Sequence, residues 1–332
     1  MKAMILGLLG AMMATGVQAA SRSFQDWTVV CDNIRECSAF GFSEDSFEDR
    51  PFLHVRRSAG ADAAPVIRLV LAGESGVPTP WAVRVDGKPV PGLAPKAEGD
   101  ADVVLTPIQA TALLAAIRNG QRLTLAPGRS DVLLTGASAA LRWMDDQQQR
   151  AGTVTALVAK GGKPASTVPA PPSVPLVRPG PAVSQAGLAD KLPPGMRAQL
   201  GEDCDTEPPK DFSPIIARLS PGVILFGERC YLGAYNEIYA FMLADEQGGH
   251  IRPAQIPNLD GFSTNLLMNV SFDPETQTLS NFEKGRGIAD CGGVNSWIWD
   301  GKAFRVSDQT EMPACRGLSA EAWPVLFRSR RK

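Results

Sequence analysis

Residues 24–40 read FQDWTVVCDNIRECSAF. Apolar and polar side chains alternate from Phe24 to Cys31, the period of a strand with one face on a core. DNIRE is turn-like, and Cys37 to Phe42 can return as the partner strand. A bond between Cys31 and Cys37 would staple the pair, so the chain opens as an antiparallel hairpin. PFLHVRR (51–57), VIRLVLAG (66–73) and WAVRVDGKPV (81–90) continue as strands, the last around an Asp-Gly turn. The period then changes. TPIQATALLAAIRNG (106–120) has a Thr N-cap, a Pro at the first helical position and an Asn-Gly stop. Ile108, Leu113, Leu114 and Ile117 form its expected buried stripe. QRLTLAP and SDVLLTG read as a further strand pair. Residues 137–160 read as a longer helix with Leu141, Met144 and Leu157 inward. The expectation is an α+β domain, an antiparallel sheet with helices on one face.

Residues 161–195 shift in composition: GGKPASTVPAPPSVPLVRPGPAVSQAGLADKLPPG. Pro, Ala, Ser and Val with almost no aromatics read as an extended, semi-rigid spacer. The division that follows is a signal peptide at 1–20, an α+β domain at 21–160, a Pro-rich linker at 161–199 and a second domain at 200–332. In the second domain SPGVILFGERC, NEIYAFMLAD, NLLMNVSFD, QTLSNFEKG, NSWIWDG and KAFRVSD are strand candidates, separated by turns at EQGG, DPET, CGG and DG. This domain should be mostly β, an antiparallel meander or partly open barrel, with a short helix near Ser319 to Leu326.

The first twenty residues, MKAMILGLLGAMMATGVQAA, place Lys2 before an apolar run and small residues before a cleavage point. That is the pattern of a secretory signal peptide, with a run too short to span a bilayer as a helix. No later stretch reaches membrane-spanning length. Six cysteines, at 31, 37, 204, 230, 291 and 315, would meet an oxidising compartment. Cys31 and Cys37 stand alone in the first half and should pair. The other four allow three pairings, of which the sequential one is preferred, Cys204–Cys230 and Cys291–Cys315. With no CxxC and two distant histidines, neither a metal nor a cofactor is expected. Thirty-three basic and 35 acidic residues give a formal charge of -2, which argues against a nucleic-acid partner. The basic tail RSRRK (328–332) reads as a frayed, solvated terminus.

Two stretches could carry recognition. CYLGAYNEIYAF (230–241) holds all three tyrosines, Tyr231, Tyr235 and Tyr239. Their rings either pack on a sheet or form a platform for a sugar or peptide. KGRGIADCGGVNSWIWDG (284–301) is glycine-rich, and Arg286 either pairs with Asp290 or reaches out to an anionic group. The candidate binding residues are therefore Tyr231, Tyr235, Arg286 and Asp290, with no catalytic residue. His54 and His250 stand beside no nucleophile motif. GxSxG, HExxH, SxxK, GxGxxG and Walker A patterns do not occur. Asp145 and Asp146 are adjacent on a helix-like stretch and diverge. Asp203 and Asp205 flank Cys204 without a calcium-loop pattern and should be solvated. The expected function is a non-catalytic periplasmic binding or interaction protein whose partner is an envelope protein or glycan. The alternative is a cell-envelope hydrolase with two carboxylates about 5–10 Å apart in a cleft.

FQDWTVVCDNIRECSAFGF, NGQRLTL and TGASAALRWMDDQQQRAGTVTALVAKG resemble the DUF1176 family of exported bacterial proteins. GAYN, KGRGIADCG, WIWDGKAF and CRG extend the likeness through the second half. The first domain is also similar to the invasion-associated locus B proteins. The resemblance implies an envelope location in a Gram-negative bacterium and brings no activity or catalytic residue with it.

Overall fold

The computed structural model describes residues 19–44, 50–71, 81–93, 102–200, 204 and 213–332. The signal-peptide reading, apart from its last two residues, and the Asp203 and Asp205 reading fall outside them.

The Cys31–Cys37 hairpin forms the second and third strands of a six-stranded antiparallel sheet in sequence order: Ala20–Phe24, Trp27–Cys31, Cys37–Phe42, Phe52–Arg57, Val66–Val70 and Asp102–Val104; a turn at 25–26, with Gln25 at φ 52°, splits the expected strand from Phe24 to Cys31. The DNIRE turn closes because the Asp32 Oδ1 accepts the Ile34 and Glu36 N–H groups at 3.0 and 2.7 Å. Trp27 lies opposite Gly41. A Cβ on Gly41 would meet the indole at 2.6 Å, so the glycine makes room for the ring. A four-stranded sheet at Arg84–Val85, Lys88–Pro89, Arg122–Thr124 and Val132–Leu133 lies beside it. Its Asp-Gly turn takes the left-handed conformation at both residues, Asp86 at φ 49° and Gly87 at φ 75°.

Both expected helices form, with corrections. The first, Pro107–Ile117, starts with a reciprocal capping box between Thr106 and Gln109. Its buried residues are Ala110, Leu113, Leu114 and Ile117, whereas Ile108 is 81% exposed. Ile108 lies two positions before Ala110, about 200° around the helix from it, so it faces water. The second helix is shorter than expected, Ala137–Gln147. Buried Asp145 ends it by accepting the N–H groups of Leu157, Val158 and Ala159 at 2.7, 2.9 and 3.1 Å. That bends 150–160 back onto the helix, so Leu157 is buried from a loop.

The second half holds two open five-stranded antiparallel arrangements. One is ordered Ile215–Ser220, Val223–Leu232, Glu237–Ala244, Arg252–Pro253, with Leu266–Met268 also on Glu237–Ala244. The other is a meander: Val270–Asp273, Thr278–Lys284, Gly292–Trp299, Phe304–Met312, Val325–Arg328. None of the described sheets closes into a barrel. The expected helix near Ser319 is a single 3-10 turn, Ala320–Ala322, followed by a strand. Trp297, Trp299, Phe241 and Phe304 fill the core between the sheets.

The proline-rich stretch has little regular structure, as its composition predicts, yet it lies against the second half. Gly180 donates its N–H to the Trp299 carbonyl at 2.8 Å, and a Cβ on it would strike the Gly301 backbone at 2.7 Å. The Gln185 amide bonds both ways with the Arg218 backbone, at 2.8 and 3.0 Å. Met196 is buried with Ile224, Phe226 and Met242.

The basic tail is corrected from frayed to structural. Arg328 reaches the buried Asp32 at 2.6 Å and Glu36 at 3.0 Å. Asn33 pairs its amide with the Arg328 backbone, at 2.9 and 3.0 Å. Arg330–Arg331 runs parallel to Leu176–Val177. Beside this joint Phe40 and Phe42 from the first sheet share a core with Met312, Leu318 and Trp323. These contacts predict that a cut within 161–199 leaves the fragments associated at neutral pH. Gel filtration of nicked protein should give one peak, and two separate peaks would contradict the joint.

His54 stacks on Phe40 with ring centroids 4.2 Å apart, and its Nε2 is buried without a hydrogen-bond partner. Burial, then the charges of Arg68 and Arg56, push its pKa down from 6.5 to about 4. The unfolded chain therefore takes up this proton at higher pH than the folded one. The contribution of neutral His54 is complete above pH 6.5 and is lost as the pH falls towards 4, a change of about 3 kcal/mol. Thermal melts should show a shallower fall in Tm across this window for His54→Phe than for the wild type; parallel curves would refute the assignment.

Candidate functional site

The sequence leaves open whether the tyrosine stretch and the glycine-rich loop meet. They do. Strand Val223–Leu232 turns through 233–236 into Glu237–Ala244, with the Gly233 N–H on the Asn236 carbonyl at 2.8 Å. The Asn236 amide then reaches across to strand Thr278–Lys284. Its Nδ2 donates to the Lys284 carbonyl at 2.9 Å, and its Oδ1 accepts from Asn269 at 2.7 Å. Asn269, at φ 44°, is the one-residue step between the strand that joins the first sheet and the strand that starts the meander. Its side chain also bonds the Phe282 carbonyl and the Glu237 N–H, at 2.7 and 2.9 Å. This pair of asparagines fastens the tyrosine turn to the start of the loop. Gly287 comes so close that a Cβ on it would lie 3.6 Å from the Tyr235 ring.

The three tyrosines separate. Tyr235 belongs to the turn rather than the strand, and is 42% exposed. A register shift at Cys230 sets Tyr231 opposite Ile238, where it is 52% exposed. Tyr239 lies on the other face, half-buried against the core. Its hydroxyl donates to Glu237 at 2.8 Å. Burial, that hydrogen bond and the Glu237 charge push its pKa up to about 12. Tyr235 and Tyr239 stand four residues apart but do not share a strand face, because the strand starts at Glu237 and leaves Tyr235 in the turn. Tyr231, Tyr235, Ile238 and Met268 line a hollow of 280 Å³.

Arg286 and Asp290 form the ion pair rather than an outward-reaching fork. The guanidinium bonds Asp290 through Nε at 2.7 Å and Nη2 at 2.5 Å, and also donates to the Cys315 carbonyl at 3.1 Å. The buried Asp290 further accepts the Gly317 N–H at 2.7 Å and lies 3.9 Å from Arg50 of the first half. Burial alone would raise the Asp290 pKa, but the Arg286 and Gly317 hydrogen bonds and the Arg286 charge outweigh it and hold it low. The stability of this pair is therefore kept above the ordinary carboxylate range and lost only in acid.

All three disulfides are those preferred from the sequence: Cys31–Cys37, Cys204–Cys230 and Cys291–Cys315. Asp290, Cys291 and Cys315 have ligand atoms within 4.8 Å of one another, but both sulfurs are bonded to each other and hold no lone thiolate for a metal. His250 is a surface partner of Asp245 at 2.7 Å. Asp145 is a backbone acceptor with no open side.

Sequence reading missed a second concavity of 530 Å³. In the meander Glu283 pairs with Gly293, and Gly293 with Glu311. Directly paired residues point to one side of a sheet, so the two carboxylates share a face across a residue with no side chain. Their α-carbons are two strand spacings apart, about 10 Å. Asn281, Asn295 and Gln309 form the next row. The residues are scattered over 281–311, and only the strand register, not a spacing motif, collects them.

The family model described as "Protein of unknown function (DUF1176)" matches residues 21–330. The chain is similar to the "Uncharacterized protein YpfG" of Escherichia coli (strain K12), 31% identical over 331 residues that cover 94% of this chain and 93% of that protein. No solved structure matches. The match runs from the opening strand to the basic tail and takes in all six cysteines and both concavities, so the chain belongs to the DUF1176 family.

Proposed function

We propose that this is an exported, non-catalytic interaction protein of the bacterial envelope, which recognises a protein or glycan partner through Tyr231 and Tyr235. In this reading it consists of two units, 21–160 and 200–332, with 161–199 as a strap between them. One observation carries the site: two tyrosine rings, 52% and 42% exposed, flank one hollow on a turn that is tied down on both sides. Tyrosine brings large contact area at low side-chain entropy cost, and a fixed turn avoids an ordering penalty on binding. Arg286 and Asp290 brace the loop whose Gly287 lies beside the Tyr235 ring, because the guanidinium is engaged with its carboxylate. The export reading draws on the first twenty residues and on three disulfides with no free cysteine. No helix among the described residues is long and apolar enough to cross a membrane.

The hydrolase reading has one observation of its own, the carboxylates of Glu283 and Glu311 facing one concavity. It requires cleavage of glycan fragments that is lost in Glu311→Gln.

Immobilised protein should capture a partner from periplasmic extract or bind peptidoglycan fragments. Tyr231→Ala and Tyr235→Ala should each abolish capture with Tm within about 2 °C of the wild type, as for surface substitutions. Capture that survives both substitutions, or cleavage of the fragments, would overturn the proposal.

A further inference from the structure

The concavity over Gly293 shares no lining residue with the tyrosine hollow. It has a definite construction. One face of the meander starts in the core, with Leu279, Trp297 and Val306 in a row. The next row is Asn281, Asn295 and Gln309, and the last is Glu283, Gly293 and Glu311. The face thus passes from apolar to polar along three strands. The loop with Asn258, Leu259 and Asp260 forms a wall, held where Trp297 donates its indole N–H to the Pro257 carbonyl at 2.7 Å. The Cys291–Cys315 bond fixes the far end.

The polar groups are oriented before any ligand arrives. Asn295 donates to Asn281 at 2.9 Å, and Asn281 donates to the Glu283 Oε1 at 2.8 Å, which among the described residues leaves Oε2 without a donor. Ser21 donates to the Glu311 Oε1 at 3.0 Å and likewise leaves Oε2 open. Gln309 is only 7% exposed and lines the concavity, yet among the described residues its side-chain amide has no hydrogen-bond partner. The amide is not sealed from solvent, so its oxygen can accept a hydrogen bond from a ligand in the concavity.

Charge selects the ligand. The lining carries three carboxylates, Asp260, Glu283 and Glu311, and no lysine or arginine. Burial raises the Glu311 pKa and the Glu283 charge adds to it, against the Ser21 hydrogen bond, so the empty site holds its charges together at a cost. A neutral ligand would leave that repulsion in place. Asp260, Glu283 and Glu311 do not bring three ligand atoms within 4.8 Å of one another, so the three carboxylates are not gathered around one point. An ammonium group supplies positive charge and three N–H donors to separated acceptors.

We propose that the concavity over Gly293 binds a protonated primary amine, held between Glu283 and Glu311 and bonded by Gln309. Two sources share this chemistry, a free polyamine and the lysine side chain of a peptide.

Isothermal titration of the oxidised full chain at low salt tests it with three probes: spermidine, Nα-acetyl-lysine amide and its Nε-acetylated counterpart. Spermidine or the lysine amide should bind, and the Nε-acetylated probe should not. Tighter binding of spermidine assigns a free polyamine, and tighter binding of the lysine amide assigns a peptide side chain. Glu283→Gln and Gln309→Ala should each weaken the productive probe about tenfold or more. Asp260→Asn, on the loop, keeps an acceptor for the Phe262 N–H (2.9 Å) and should weaken binding several-fold even if a sheet variant misfolds. No binding of either amine at about 1 mM, equal binding of the Nε-acetylated probe, or unchanged affinity in these variants would each overturn the proposal.

Discussion

The buried carboxylate of Asp290 is the point on which the second half turns. It accepts two bonds from Arg286 and one from the Gly317 N–H, and Arg50 of the first half approaches it. An isolated buried charge would be expensive, and this one is tolerated because every approach brings a donor or a cation. Its neighbour Cys291 is bonded to Cys315, so the loop 284–292 and the segment 313–317 are clamped twice within two residues. These segments leave glycine no substitute where the chain packs closely. A side chain on Gly317 would collide with Arg50, and one on Gly285 would meet the Cys291 sulfur at 2.6 Å. The clamp sets the floor of the amine concavity on one side and carries Gly287 to the tyrosine turn on the other.

A second constraint is the asparagine joint. Asn269 steps the chain from one sheet to the other, and Asn236 bonds to the backbone on the far side of the step. Polar side chains here do the work of ladder hydrogen bonds where two sheets diverge, and buried backbone groups would otherwise be unpaired. The same device recurs at Asn33 with Arg328 and at Gln185 with Arg218. Each time an amide side chain stands in for a strand edge and fastens a distant segment.

Local signals are legible in the sequence. The Cys31–Cys37 hairpin, the Thr106 cap, the Asp86-Gly87 turn and the order of strands after Leu267 all follow from rules that act over a few residues. Tertiary polar contacts were not legible. Asp145 reads as half of an adjacent, diverging acidic pair, but it shortens its helix by taking three N–H groups from 157–159. The basic tail looked solvated until Asp32 and Glu36 supplied its partners. For the tyrosine site, composition points to the right segments, and the structure reassigns their parts: Tyr231 and Tyr235 are exposed while Arg286 is engaged with Asp290. Glu283, Gln309 and Glu311 were invisible because cross-strand register leaves no linear pattern.

Scanning calorimetry of Asp290→Asn tests the clamp most directly, because the substitution keeps the shape while it removes the charge and turns one of the two accepting oxygens into a donor. Breaking a buried ion pair on one side costs about 3–5 kcal/mol, and each kcal/mol moves Tm by about 2–4 °C in a protein of this size. The account predicts a Tm lowered by about 6 °C or more, with faster amide exchange in both 284–292 and 313–317. A variant that melts within about 2 °C of the wild type with unchanged exchange in both segments would contradict it.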